Sequence, residues 1–339
     1  MKNLLYELCT KRGISGDENN ISKFVYKKLS KYCKCKIRND GSVIGTIGNI
    51  NSEHNILFDA HIDQIGLVVT YIDDTGFVKI SNCGGIDSRI LLGSTVKTCQ
   101  SREISGIICS IPPHLSKKNS DNKVPSVDEL YVDFGMDYEE IKKYINVGDR
   151  LSLFEKFQEL LNERISSPSI DDRAGVAVLI KLAEKLNKET LDHKVTILLS
   201  SQEETSSLGA ITSSYECHPD EAIVVDVSFA KQPNVESNKY SKLDKGPLIG
   251  ISPSLSKKVT NLLIKTAQKK DIPYQLEIMG GKTGTNADHI SINRGGVNCG
   301  LVSIPQRYMH TAVEVVSIKD MENTVELLFN YAKKGGIIK

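Results

Sequence analysis

No excess charge of either sign marks this 339-residue chain: 43 Lys and Arg stand against 42 Asp and Glu, a formal +1. Without a global field, nothing recommends nucleic acid or an anionic membrane as a partner, and the pairs Lys27-Lys28 and Lys117-Lys118 are short enough to be solvated surface. No apolar stretch is long enough to span a bilayer, and Met1-Lys2-Asn3-Leu4-Leu5 meets Glu7 too soon for the core of a signal peptide. A soluble, cytoplasmic protein is the expectation. Eight cysteines are too sparse for a disulfide-built scaffold and should remain thiols in such a compartment. Cys33 and Cys35 form a CxC, but no second Cys or His pair follows at zinc-finger spacing, so they read as neighbours on one strand face. Cys109 and Cys299 sit in apolar runs as small core residues. No internal repeat is found.

With 40% apolar residues the chain can bury a full core, and its length suggests two domains or one with a large insertion. Residues 1–32 read as two helices, the second carrying Ile21, Phe24, Val25 and Leu29 on one face. Strand-like segments follow, the last running from Asn55 into Ala60-His61-Ile62-Asp63. Between Gln64 and about Phe154 the texture is β-rich, with short strands at Ile65–Ile72, Phe77–Ile80, Ser94–Thr98, Ile104–Ser110 and Gly148–Leu153 and a polar loop at Ser116–Lys123. Beyond Ser169, strands and helices alternate: a helix through Val176, Leu179, Ile180, Ala183 and Leu186, then strands at Val195–Leu199, Ala222–Val227 and Leu248–Ser252. A helix over Leu255–Lys269, strands at Tyr274–Met279 and Val297–Ile304, and a helix over Ile318–Lys333 follow. This pattern predicts an α/β fold: a mainly parallel sheet flanked by helices, with a small β-barrel-like module inserted into it.

The segment Lys194–Glu204 organises the functional reading. An apolar strand, Val195–Leu199, empties into Ser200, Ser201, Gln202 and the adjacent acids Glu203 and Glu204. Consecutive side chains on a strand point to opposite faces, so the two acids converge only if the strand has already ended. His61 with Asp63, Asp171 with Asp172, Asp226 and His310 also follow apolar runs. Each alone is more simply a satisfied polar residue or a cap; together they suit one shared site at the carboxyl edge of a sheet. Two imidazoles and three carboxylates, one bridging, give each of two divalent ions three protein donors, and a further carboxylate is then needed to accept a proton.

The segments Ala60–Asp63, Ser169–Gly175, Gln202-Glu203-Glu204, Val225-Asp226-Val227 and Arg307–Thr311 resemble the TET-type, or glutamyl aminopeptidase, family of dinuclear metallopeptidases, some of whose members carry an older cellulase-type label. Gly84–Gly93, Pro112-Pro113-His114 and Thr283–Ala287 extend the likeness over nearly the whole chain. The resemblance implies that His61 and Asp226 complete one metal site and Glu204 and His310 the other, with Asp171 bridging and Glu203 as general acid/base. It implies that Asp63 orients His61, that Asp172 stiffens the turn presenting Asp171, and that Arg173 anchors it. Zinc, cobalt or manganese would suit the donors. It further implies peptide substrates with a free N-terminus, a catalytic domain of residues 1–66 plus 163–339, an insertion at 67–162 that mediates dimerisation, and assembly into a tetrahedral dodecamer. One departure is Asn286, where the family commonly has aspartate; it is expected to lower the negative charge of a substrate-facing loop.

Three other readings compete. A related dinuclear deacylase or carboxypeptidase would use the same ligands. A metal-independent endoglucanase would need two carboxylates about 5–9.5 Å apart, and would leave the histidines idle. A non-catalytic assembly subunit would have no use for an intact ligand set.

Overall fold

The computed structural model describes residues 1–99, 103–109, 111, 124–234 and 240–337. The Ser116–Lys123 loop and Pro112-Pro113-His114 therefore lie outside the described residues. Two helices, α1 (Lys2–Cys9) and α2 (Asn19–Leu29), lead into β1 (Lys34–Ile37), β2 (Val43–Gly48) and β3 (Asn55–His61). The strands β4 (Gly66–Ile72), β5 (Val78–Cys83), β6 (Thr95–Thr98), β7 (Ser105–Cys109), β8 (Tyr131–Asp133) and β9 (Arg150–Leu153) close into an antiparallel barrel in the order β4-β5-β8-β7-β6-β9. A short helix, α3 (Tyr138–Ile141), packs beneath it, and alternate inward residues such as Leu67, Val69, Ile80, Val96, Val132 and Leu151 fill the interior.

The chain then returns through β10 (Gln158–Leu160) and β11 (Arg164–Ser167) to α4 (Ile170–Leu186), β12 (Lys194–Ser200), α5 (Glu203–Ser206), α6 (Leu208–Cys217) and β13 (Glu221–Phe229). It finishes with β14 (Leu248–Ile251), α7 (Lys257–Lys269), β15 (Gln275–Ile278), α8 (Ala287–Ile290), β16 (Asn298–Arg307), β17 (Glu314–Ser317) and α9 (Ile318–Lys334). Among the described residues the main sheet runs β1-β2-β12-β3-β13-β16-β17-β11-β10, with β14 on β16 and β15 on β14. Its centre, β12-β3-β13-β16, is parallel, as the alternating pattern predicts; the flanks turn antiparallel, making the sheet mixed. Short β10, β11 and β17 escape the sequence reading because three or four residues leave too little pattern to count.

Helix α4 departs from ordinary amphipathicity. Nearly every side chain on it is buried, because α1 and α9 cover the face turned away from the sheet. A second apolar layer, including Leu57, Leu198, Ala222, Ala287 and Leu301, covers the opposite sheet face. Register fixes what emerges at the sheet's end: Ser200 pairs with His61, and Asp59 pairs with Val224, so His61 comes level with Asp226. No helix among the described residues is long and apolar enough to cross a membrane.

Candidate active site

At the carboxyl edge of β12, the strand stops at Ser200 and Gln202 adopts a left-handed conformation (φ 56°). The chain then turns into α5, which presents Glu203 and Glu204 from one short turn. Asp63 fastens that turn: its Oδ1 accepts the Glu203 N–H at 2.9 Å and its Oδ2 the Glu204 N–H at 3.1 Å. The same residue holds His61, whose Nδ1 lies 3.1 Å from the Asp63 carbonyl and 3.4 Å from its Oδ1. With Nδ1–H so engaged, Nε2 is left free to face Asp171 Oδ1 at 3.1 Å.

Asp171 stands between two groups. His61, Asp171 and Asp226 place one donor atom each within 4.8 Å of one another, and so do Asp171, Glu204 and His310. His310 Nε2 is 3.4 Å from Asp171 Oδ2 and 3.5 Å from Glu204 Oε2. Residues scattered over some 250 positions thus meet at one place. The peptide joining Asp171 to Asp172 is cis, and Asp172 Oδ1 accepts the Gly175 N–H at 2.9 Å, tying down the start of the regular helix. Arg173, fully buried, donates to the carbonyls of Leu8 and Lys11 and to Gln64 Oε1, lashing this turn to the end of α1.

Two supporting residues have roles the sequence does not reveal. Glu314, buried at the start of β17, accepts the Asp171 N–H at 3.1 Å and the His310 N–H at 2.9 Å, so one carboxylate sets two donors at once. Its signal was an acid opening a short apolar strand four residues after His310. Gly85 approaches from the barrel side, and a Cβ there would stand 3.0 Å from His310 Nδ1. A side chain there would press against the His310 ring, so glycine suits the contact.

Asn286 corrects an expectation. It does not face substrate: it is 1% exposed, and its Nδ2 donates to Asp59 Oδ2 at 2.9 Å and to Ser200 Oγ at 3.0 Å. Burial raises the Asp59 carboxyl to about 6, although Ser200 and Asn286 pull it down. A carboxylate at 286 would lose the donor and face Asp59 as a like charge. Asn286→Asp is expected to cost about 1–3 kcal/mol, with the penalty growing as pH rises from 5 towards 8 and both acids deprotonate, as measured by thermal unfolding across pH.

Electrostatically the site is short of positive charge. Burial pushes Glu204 and Asp226 well above the usual carboxyl range, and the charge on Asp171 adds to it. Asp172 is raised well above its usual range too, by burial and then by Asp226. Burial also raises Asp171, but His310 and His61 outweigh it and hold that carboxyl low. Burial would lower the His61 ring, yet Asp171 and Asp63 leave it well above its ordinary value. Glu204 Oε1 is buried with no hydrogen-bond partner among the described residues. Crowded acids, an orphaned oxygen and two imidazoles are the donor set that divalent cations fill.

Glu204, Asp226 and Asp172 hold protons above about pH 4, where an unfolded chain releases them. Their stabilising contribution is therefore complete below that pH and is lost as pH rises through the raised values. Cations held by Glu204 and Asp226 would displace their protons and bind better as pH rises. Chelator is expected to lower Tm more at about pH 8 than at about pH 6; equal shifts in calorimetry would contradict this.

The site opens into a cavity of about 830 Å³ that His61, Asp171, Glu203, Glu204, Asp226 and His310 share with Thr283-Gly284-Thr285. Residues 41–327 match the family described as M42 glutamyl aminopeptidase. The chain belongs to that family. A lysyl aminopeptidase of Pyrococcus furiosus is 31% identical over 331 residues, covering 96% of this chain and 94% of its own. The structure of an aminopeptidase from the archaeon Desulfurococcus kamchatkensis superposes with a TM-score of 0.91 at 35% identity, covering 98% of this chain and 94% of that one. A TET peptidase of Pyrococcus horikoshii, which can assemble into a tetrahedron or a large octahedral shell, gives a TM-score of 0.87 at 29% identity, with 98% of each chain covered. As an M42 protein this chain is a metal-dependent aminopeptidase, a hydrolase of peptide bonds, and two candidate metal-ligand groups line its cavity.

Proposed function

We propose that two divalent ions work in this site, one held by His61, Asp171 and Asp226 and the other by Asp171, Glu204 and His310. The observation that carries this reading is the pair of donor groups sharing Asp171, each compact enough for one ion. Zinc, cobalt and manganese all accept imidazole and carboxylate. When bound, such ions supply Lewis acidity toward a peptide carbonyl and toward water. Glu203 takes a proton from the attacking water as its oxygen bonds to the carbonyl carbon, then delivers it to the amine released when the C–N bond breaks. Asp63 keeps Glu203 and His61 in fixed relation, since its one carboxylate touches both. Glu314 does the same for Asp171 and His310.

A free α-amine on the substrate matches the acid-rich wall of the cavity, which makes the enzyme an exopeptidase acting from the N-terminus. We divide the chain into a catalytic domain, residues 1–66 plus 163–339, and an insertion at 67–162 that mediates dimerisation. Apart from Gly66 at the head of β4, the barrel strands fall within that insertion, while β10 pairs with β11 of the main sheet. Dimers would build a tetrahedral dodecamer of the kind seen in TET peptidases, in the cytoplasm. The test is hydrolysis of aminoacyl chromophores with free and with blocked amines, with and without chelator. Turnover of free amines alone, abolished by chelator, is expected. Turnover of blocked amines would point to a deacylase, and resistance to chelator would sink the metal mechanism.

A further inference from the structure

Outside the ligand cluster, the described residues give the same cavity one carboxylate that the hydrolytic reaction does not use. Glu277, on β15, lines the cavity beside Ser228, Ser303, Leu276, Ile278 and Leu301. The Ser228 hydroxyl donates to Glu277 Oε1, and the Ser303 hydroxyl donates to Oε2 at 3.1 Å. Among the described residues no Lys, Arg or His pairs with it. Its hydrogen-bonding partners among the described residues are those two hydroxyls, which satisfy oxygens without neutralising charge. Burial raises this carboxyl and the serines pull it back, so a cation arriving from the cavity would supply what the protein does not.

The distance from the ligands suits one kind of guest. Ser228 lies two residues beyond Asp226 on the same strand face, about 6.6 Å along it. Ser303 is the register partner of Asp226 on β16, one strand away, about 4.8 Å. The carboxylate clasped by both serines therefore sits about one long side chain from the place where the scissile bond is held. A lysine side chain reaches roughly 6 Å from Cα to Nζ, and its apolar stem would run past Leu248 and Leu301, which line the cavity on the sheet face of Ser303.

We propose that Glu277 binds a positively charged side chain on the substrate's N-terminal residue, making this enzyme selective for lysyl and arginyl termini. This rests on the aminopeptidase reading. The test compares kcat/KM for lysyl and norleucyl chromophores, which share a stem and differ by the ammonium, in the metal-loaded wild type and in Glu277→Gln. The wild type should favour lysyl, and the lysyl-to-norleucyl ratio should fall roughly 10–100-fold in the variant. Inhibition of the wild type by free lysine over free norleucine gives the same comparison without a variant. A wild type that prefers norleucyl or glutamyl termini, or a ratio untouched by Glu277→Gln, overturns the assignment while leaving the aminopeptidase intact. Failure to cleave any free N-terminal residue would overturn the aminopeptidase reading itself, and this assignment with it.

Discussion

Replacing Glu203 with Gln is expected to lower kcat by roughly 10²–10⁴-fold while metal content stays at the wild-type level. Glu203 lines the cavity but belongs to neither donor group, so its loss should leave both cation sites standing. Its backbone N–H remains bound to Asp63 in the variant, because the substitution changes only the end of the side chain. Burial raises its carboxyl to about 7, with Asp171 and Asp63 adding to the effect and His61 opposing it. That places proton affinity near working pH, where a general base is most effective. The sign of the pH dependence follows. Glu203 must be ionised to accept the proton, so activity falls as pH drops through its pKa. Bound cations favour the anion, so the acid limb of the loaded enzyme should lie below about 7. Steady-state kinetics beside metal analysis would check this; metal retained with near-full turnover would place the base elsewhere.

Asp171→Asn should have the second large effect, and a different signature. Asp171 is the one residue present in both donor groups, its Oδ1 turned to His61 and its Oδ2 to His310. An amide offers a single neutral oxygen, so neither ion keeps the anionic bridge. Affinity at both positions should fall by more than about 100-fold, beyond the loss expected from removing an outer partner, with activity lost in proportion. Asp226→Asn, by contrast, removes a donor from one group only. Titration of the metal-free variants would separate these outcomes. Wild-type affinity at either position in Asp171→Asn would show that it does not bridge.

Much of this was legible in sequence, for identifiable reasons. Strands such as Val195–Leu199 and Val224–Val227 announce themselves as apolar runs because the parallel centre of the sheet is buried on both faces. The ligands stood out because each follows such a run, where a charge is costly unless something answers it. Glu314 and Glu277 did not stand out: β17 is too short to show a period, and an acid within the Tyr274–Met279 strand reads as a surface residue. Asn286 was misplaced for a related reason: a Thr-Gly-Thr turn reads as an exposed loop, while its partner, Asp59, lies 227 positions away. Gly85 is explained only by its contact with His310, which pattern alone cannot reveal.

The account depends most on one spatial claim, that folding gathers His61, Asp171, Glu204, Asp226 and His310 around a pair of cations. Anomalous diffraction from crystals grown with zinc or manganese measures it directly. Two peaks per chain about 3.5–4 Å apart, with Asp171 between them, are predicted. A single peak, or ions held by other residues, would contradict it.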